Sequence, residues 1–267
     1  TARYFDLKVG DKIINCLPLK YIAGKMMLVR SLVLGLDLYI HPVTSSPISD
    51  LKKNYELIAF TPIQLENSIP FIKKIKKILV GGSPVQDRLK EKILNSKSNV
   101  YETYGMTETI THVAVRNLSM GEKEFTTLPG IEIGEKDNCL FIKPNHLTIE
   151  MVQTNDVVEI TNKNQFLIIG RRDFIINSGG VKLNPEAIEK KLSNYISVDF
   201  IISSIDHCKF GEVVALVFKK NIPDDYNKAF THLSKYEIPK EVLAIDNFPE
   251  NNGKINRVKI RAIINNS

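Results

Sequence analysis

Apolar and polar positions follow two rhythms along this chain, and their alternation marks out its elements. The run from Gly24 to Gly35 is apolar on nearly every side and closes on glycine, which predicts a buried helix. Leu57 to Phe60 reads as a short strand, and Thr61-Pro62 as a helix cap followed by proline in the first turn. Beyond it, in FIKKIKKI (Phe71 to Ile78), Ile72, Ile75 and Leu79 recur at helical spacing, so the lysines read as the solvated face of a core-packed helix. The stretch KILVGGSPVQDRLKEKIL then reads as a strand (Ile78 to Val80), a Gly-Gly turn, a cap at Ser83, Pro84 at the first helical position and an amphipathic helix to Leu94. Asn99 to Tyr104 is the following strand, which makes this region an α/β unit.

From Ile131 the texture changes to β-hairpins, with turns at Lys136-Asp137-Asn138 and Asn162-Lys163-Asn164. After Gly170 it changes again. Asn184-Pro185-Glu186 caps a helix to Leu192, strands follow at Asp199 to Ser204 and Val213 to Phe218, a helix runs from about Asp224 to Lys235, and a strand near Val242 to Ile245 precedes a last helix after Asn256. A domain boundary is therefore expected near Arg172 and Asp173, dividing residues 1–171 from 172–267.

Composition narrows the function classes. With 43% hydrophobic residues in 267, the chain can bury a sizeable core in one large domain or two unequal ones. The most apolar region, Ile13 to Leu38, is broken by Lys20, Lys25 and Arg30, so no membrane span is expected. Thr1 to Lys12 is too polar for a secretory signal, which makes the cytoplasm the default compartment. Cys16, Cys139 and Cys208 lack metal-type spacing and are expected as reduced thiols without a structural metal. The formal charge of +6 suits anionic substrates, and only the lysine count speaks for nucleic acid.

Candidate chemistry gathers in a few short motifs. In YETYGMTET (Tyr101 to Thr109), Tyr104 can stack on a flat base, Gly105 permits an unusual turn, the Thr107 hydroxyl can bond a phosphate oxygen and Glu108 offers a hard oxygen to Mg²⁺. Gly81-Gly82-Ser83 at a strand end lets a base or acyl group approach the backbone, and is equally a tight strand-to-helix turn. QTND ends in Asp156, whose carboxylate can accept from ribose hydroxyls at a turn that Asn155 tolerates. GRRDFIINSGG (Gly170 to Gly180) reads locally as a charged hairpin with a glycine turn and a solvated Arg172. In NNGKINR (Asn251 to Arg257), Lys254 is a compact point charge able to bridge a carboxylate and a phosphate.

In this order the motifs resemble those of the adenylate-forming acyl-CoA ligase superfamily, whose members activate a carboxylic acid with ATP and pass the acyl group to coenzyme A. The resemblance implies an α/β fold: the C-terminal part of a large domain of layered sheets and a distorted β-barrel, then a small mobile α+β domain. It implies ATP, Mg²⁺ and coenzyme A as cofactor and co-substrates. By it, Gly81, Gly82 and Ser83 line the adenine and acyl pockets; Tyr104, Gly105, Met106 and Thr107 hold the nucleotide; Glu108 binds the metal. Asp156 and Arg171 reach the ribose or phosphate, Asp173 is the hinge, Gly179 and Gly180 approach the pantetheine arm, and Lys254 serves adenylation. Asn155 stands where the family usually has glycine. Nothing before Cys16 resembles the family's phosphate loop, so these residues are expected to be the back portion of a longer protein.

Cys16 to Gly35 resembles the equivalent part of the superfamily's 2-succinylbenzoate–CoA ligases of menaquinone biosynthesis. Lys20-Tyr21 replaces the usual aromatic–histidine pair, which removes the histidine's role. Lys20, Lys25 and Arg30 are candidates to pair with the two carboxylates of succinylbenzoate, or else cap helix ends or lie on the surface; Tyr21, Ser83 and His112 are further candidates for the acid pocket. The partner implied is a small carboxylic acid. A ligase for another aromatic or fatty acid and a non-catalytic nucleotide-binding module are the alternatives, and sequence leaves the oligomeric state open.

Overall fold

The computed structural model describes residues 1–49, 51–145, 150–251 and 254–266. They form two compact units: the first comprises residues 1–135, 141–153 and 160–167, the second residues 136–140, 154–159 and 168–267. This division differs from a single cut at 171/172, because long hairpin strands lend residues to both units.

The first unit is α/β. Four crossovers lay β1 (Lys12–Asn15), β2 (Asp37–Ile40), β3 (Tyr55–Phe60), β4 (Ile75–Val80) and β5 (Asn99–Gly105) in the parallel order β2-β1-β3-β4-β5. Antiparallel strands β6 (His112–Asn117) and β7 (Phe125–Thr127) extend the sheet. The meander β8 (Ile131–Lys136), β9 (Cys139–Pro144), β10 (Val152–Asn162) and β11 (Gln165–Arg171) completes it, β11 pairing with β7. Ile58, Phe60, Ile75, Ile78, Val80 and Val100 of the central strands pack with Leu65 and Leu89 from the crossover helices, forming a core cluster buried as only strands covered on a face can be.

Helices α1 (Ala2–Phe5), α2 (Ile22–Leu34), α3 (Pro62–Ser68) and α4 (Asp87–Ile93) belong to this unit. The cap read at Thr61 forms in full: its hydroxyl accepts from the Gln64 amide while the Gln64 side chain accepts from the Thr61 amide. Four local expectations are corrected. Residues 71–78 are not a helix; a 3-10 turn at 69–74 runs into β4, since β-branched Ile75 and Ile78 favour a central parallel strand and Lys77 is accommodated there by Glu56 and the Phe5 carbonyl. Ser83 is not a cap and Pro84 does not open a helix: the chain bends at Gly82 and Ser83 and enters α4 only after Gln86, its N-cap, the Val85 amide being drawn to the Glu102 carboxylate 3.0 Å away. Helix α2 is not buried all round; Met27, Arg30 and Ser31 turn inward while Leu32 and Val33 remain about three-quarters exposed at 74% and 75%. A helix lying on one face of a sheet covers only one stripe of its surface. Nor is QTND a turn: it lies inside β10, where Thr154, Asp156 and Val158 fall on the buried side at the two-residue period of a strand.

In the second unit, β12 (Ile176–Ser178), β13 (Val181–Leu183), β14 (Phe200–His207), β15 (Gly211–Lys219) and β16 (Glu241–Ile245) form a mixed sheet with order β13-β12-β15-β14 and β16 beside β15. Alternation along β14 and β15 supplies two cores. Ile202, Leu216 and Phe218 pack with α5 (Pro185–Leu192), and Ile201, Ala215 and Val217 pack with Ile260 and Ile264 of α6 (Arg257–Asn265). Asn184 caps α5 as read, its side chain accepting from the amides of Glu186 and Ala187. The helix expected at Asp224 to Lys235 is a 3-10 segment at Tyr226–His232, in a sequence poor in strong helix formers. The two-stranded hairpin β17 (Glu250–Asn251) and β18 (Lys254–Ile255) precedes α6.

Candidate functional site

Parallel strands β4 and β5 are neighbours, with Val80 in register with Glu102, so the loops leaving their carboxyl ends emerge side by side. One carries Gly81, Gly82 and Ser83; the other carries the YGMTET residues. Such strand ends are where open α/β sheets place ligands.

The second loop is built tightly. Tyr104 is the last residue but one of β5, its ring 5.3 Å from Phe166 and 5.9 Å from Phe125, centroid to centroid. Gly105 sits at a register shift, where a Cβ would come within 2.6 Å of the Thr111 carbonyl oxygen and the His112 Cα, both backbone atoms that cannot yield. A 3-10 turn over Thr107–Thr109 follows. Buried Thr109 organises it: the hydroxyl accepts from the Met106 amide at 3.0 Å, and its hydrogen lies between the carbonyls of Thr111 (2.9 Å) and Met106 (3.0 Å). Ile110 then takes φ 65° and ψ −44°, with Thr111 N–H bonding the Thr109 carbonyl at 2.7 Å. That is a γ-turn of the rare positive-φ form, strained for a β-branched residue. Thr107 and Glu108 are left exposed at the loop's crest, and neither side chain bonds another described residue.

Behind this loop lies Arg30. Its guanidinium is buried at 7% exposure and donates to the Thr111 hydroxyl at 2.6 Å, with His112 Nδ1 at 3.5 Å and Met27 Sδ at 3.5 Å. No described carboxylate pairs with it, and its Nε has no hydrogen-bond partner. Burial lowers its pKa to about 10, which leaves it charged at neutral pH. Burial and then the neighbouring Arg30 push His112 down to about 3, so its imidazole is neutral. Lys20 and Lys25 are exposed, the Lys20 ammonium lying 4.9 Å from the Tyr21 ring centre. Of the three cations read as candidates, only Arg30 is drawn inward.

The second unit carries the other motifs. Asp156, 8% exposed, receives the Arg171 guanidinium at 3.1 Å, and the same guanidinium reaches Asp173 at 2.6 Å. Thr154 supports this strand by donating to the Leu140 carbonyl and accepting the Asp156 amide. Phe174 lies between two guanidinium groups, 5.8 Å from Arg171 and 5.5 Å from Arg257. Gly179 and Gly180, at φ 59° and 86°, make the tight turn joining β12 to β13, a conformation closed to most side chains. Arg257 grips both oxygens of Glu189 at 2.8 and 2.5 Å at the start of α6. Lys254 lies in β18; its side chain, with Asn252 and Gly253, is outside the described residues.

Sequence reading missed Thr109, Thr111, Glu102 and Arg116. The threonines stand inside or beside the motif, but their partners follow from a loop path that spacing alone does not disclose. Among the described residues no three His, Cys, Asp or Glu side chains gather as a metal cluster, and no helix is long and apolar enough to cross a membrane.

No family model matches the chain. A solved acyl-CoA synthetase (AMP-forming)/AMP-acid ligase II-like protein from Dyadobacter fermentans is 32% identical, the match covering 98% of this chain and 81% of that one, with a TM-score of 0.62. The chain belongs to the AMP-forming acyl-CoA synthetase family. The family's fold is seen again in o-succinylbenzoate coenzyme A synthetase from Bacillus subtilis, solved with ATP and magnesium ion. That structure is 23% identical at a TM-score of 0.82, over 97% of this chain and 63% of that one. Within the family, 2-succinylbenzoate–CoA ligase from Staphylococcus epidermidis is 23% identical over 291 residues, which is 93% of this chain. The chain spans 60% of that relative's length.

Proposed function

We propose that the protein joins a carboxylic acid to coenzyme A through an acyl-adenylate, and that the acid is 2-succinylbenzoate. The observation that carries the choice of acid is Arg30, a buried guanidinium without a described carboxylate, held against Thr111 behind the YGMTET loop. A charge removed from water is stabilised by an opposite charge with matching geometry, and guanidinium matches carboxylate in a two-point fork. A dicarboxylic acid can offer one carboxylate to ATP and the other to Arg30; a monocarboxylic acid leaves Arg30 unmatched. The relatives named for 2-succinylbenzoate support the same reading.

The chemistry assigned follows from the residues. Tyr104 supports the adenine face, the Thr107 hydroxyl donates to a phosphate oxygen, and Asp156, steadied by Arg171, accepts from the ribose hydroxyls. A carboxylate oxygen of the acid attacks the α-phosphorus, the bond to pyrophosphate breaks, and Lys254 offsets the negative charge that accumulates. The thiolate of coenzyme A then attacks the acyl carbon, the acyl–oxygen bond breaks and AMP leaves; the Gly179–Gly180 turn is the assigned guide for the pantetheine arm, and Asp173 the pivot between the two half-reactions. Glu108 fits Mg²⁺, because its exposed carboxylate is a hard oxygen donor engaged by no described residue. When bound, the ion draws charge from the phosphates.

A substrate panel tests this proposal. Steady-state kinetics are expected to give 2-succinylbenzoate a kcat/KM at least about a hundredfold above benzoate and laurate, the scale set by leaving a buried charge unpaired. Equal use of the monocarboxylic acids would remove Arg30 from the acid site.

A further inference from the structure

Resting on the ligase reading above, we infer that Glu102 and Arg116 are positioning residues for the nucleotide, locking the Gly81–Ser83 loop to the Tyr104 platform. Glu102 is 4% exposed and directly opposite Arg116 across β5 and β6. The guanidinium grips Oε2 of Glu102 with Nε at 2.8 Å and Nη2 at 2.6 Å. The other carboxylate oxygen accepts the Val85 amide at 3.0 Å. Glu102 thus holds both ends of one loop: its backbone is in register with Val80, which enters the Gly-Gly-Ser turn, and its side chain ties down Val85, which leaves it.

Arg116 extends the lock to the platform. Its guanidinium carbon lies 4.4 Å from the centre of the Phe125 ring, and Phe125 stacks with Phe166 at 5.6 Å; both rings flank Tyr104. Arg116 also donates to the Lys123 carbonyl at 2.8 Å, which fixes its reach. Glu102 and Tyr104, two residues apart on β5, share one face of the sheet. The loop on one side of the base and the ring on the other are therefore set by one ion pair. An ordinary core pair would stabilise the fold without touching either surface of the nucleotide site.

The test uses two variants. Arg116→Lys keeps the charge but loses the fork and the flat face over Phe125. Glu102→Leu with Arg116→Met replaces the pair by apolar side chains, an exchange that folds tolerate, yet strips the Val85 amide of its acceptor. AMP affinity by calorimetry, KM for ATP and for 2-succinylbenzoate, and thermal melting are measured on each. The expected result is a cooperative melt with AMP Kd and KM for ATP raised about tenfold, the scale of one lost charge-assisted hydrogen bond. Folded variants with wild-type AMP affinity overturn the inference while leaving the ligase reading intact. Wild-type protein that binds no AMP overturns the ligase reading and this inference with it.

Discussion

Arg30 keeps a charge in a place that disfavours one, and the disposition of its neighbours decides what it can do. Thr111 and His112 take part of its hydrogen bonding, but both are neutral. Arg30→Met, which keeps the length and drops the charge, is expected to raise KM for 2-succinylbenzoate about a hundredfold with KM for ATP unchanged, because a two-point contact to a carboxylate is lost. The substitution also takes a hydrogen bond from the Thr111 hydroxyl, so a small drop in melting temperature with the melt still cooperative is expected. Kinetics with an unaltered KM for the acid would contradict the assignment. His112 carries a separate signature in pH. Its folded pKa of about 3 lies below the reference of 6.5. Between those values the unfolded chain takes up a proton that the folded chain refuses, so His112 makes stability fall as pH drops from about 6.5 towards 3. Urea titrations at neutral and acid pH should show His112→Gln losing less stability on acidification than wild type. The sequence marked both residues as candidates, but the charge sits on a helix apolar all round, and only the packed structure shows which of Lys20, Lys25 and Arg30 faces inward.

The loop from Tyr104 to His112 works as a single element, and Thr109 is its fastening. Thr109→Val preserves shape but leaves the Met106 amide without its acceptor, and should cut kcat/KM for ATP about tenfold, whereas Thr109→Ser should stay near wild type. Equal losses in the two variants would place the effect in packing rather than in the hydroxyl. In the second unit, Asn184→Ala removes the N-cap of α5 and should cost about 1 kcal/mol in a denaturant titration. Caps of this kind were readable in sequence at Thr61 and Asn184, because a side chain and an amide two or three residues on need no distant partner. The misread elements needed one. Ile72, Ile75 and Leu79 fit a helix as residues, but Ile75, Lys77 and Leu79 fit a strand equally well, and the pairing of Lys77 with Glu56 on β3 settles it. Ser83-Pro84 looked like a helix start until the Glu102 carboxylate drew the Val85 amide away. Glu102 with Arg116 was illegible for the same reason, since cross-strand register is a property of the sheet.

Across the whole molecule, the motifs proposed to serve the ligase reaction divide between the two units: Gly81 to Ser83 and Tyr104 to Glu108 fall in the first, and Asp156, Arg171, Asp173, Gly179, Gly180 and Lys254 in the second. The order of these motifs carried the resemblance, and the family it pointed to is the one to which the chain belongs. A binding module needs only the nucleotide contacts, while a ligase also needs a cation for the attacking carboxylate and an acceptor for the acyl group. Chemistry, not affinity, separates the two. The decisive measurement is mass-spectrometric product detection after mixing the protein with ATP, Mg²⁺, coenzyme A and 2-succinylbenzoate, run beside Lys254→Ala. The succinylbenzoyl thioester and AMP appearing in equal amounts, and both lost in the variant, is the predicted result; wild-type protein that binds AMP yet forms neither acyl-adenylate nor thioester would contradict it.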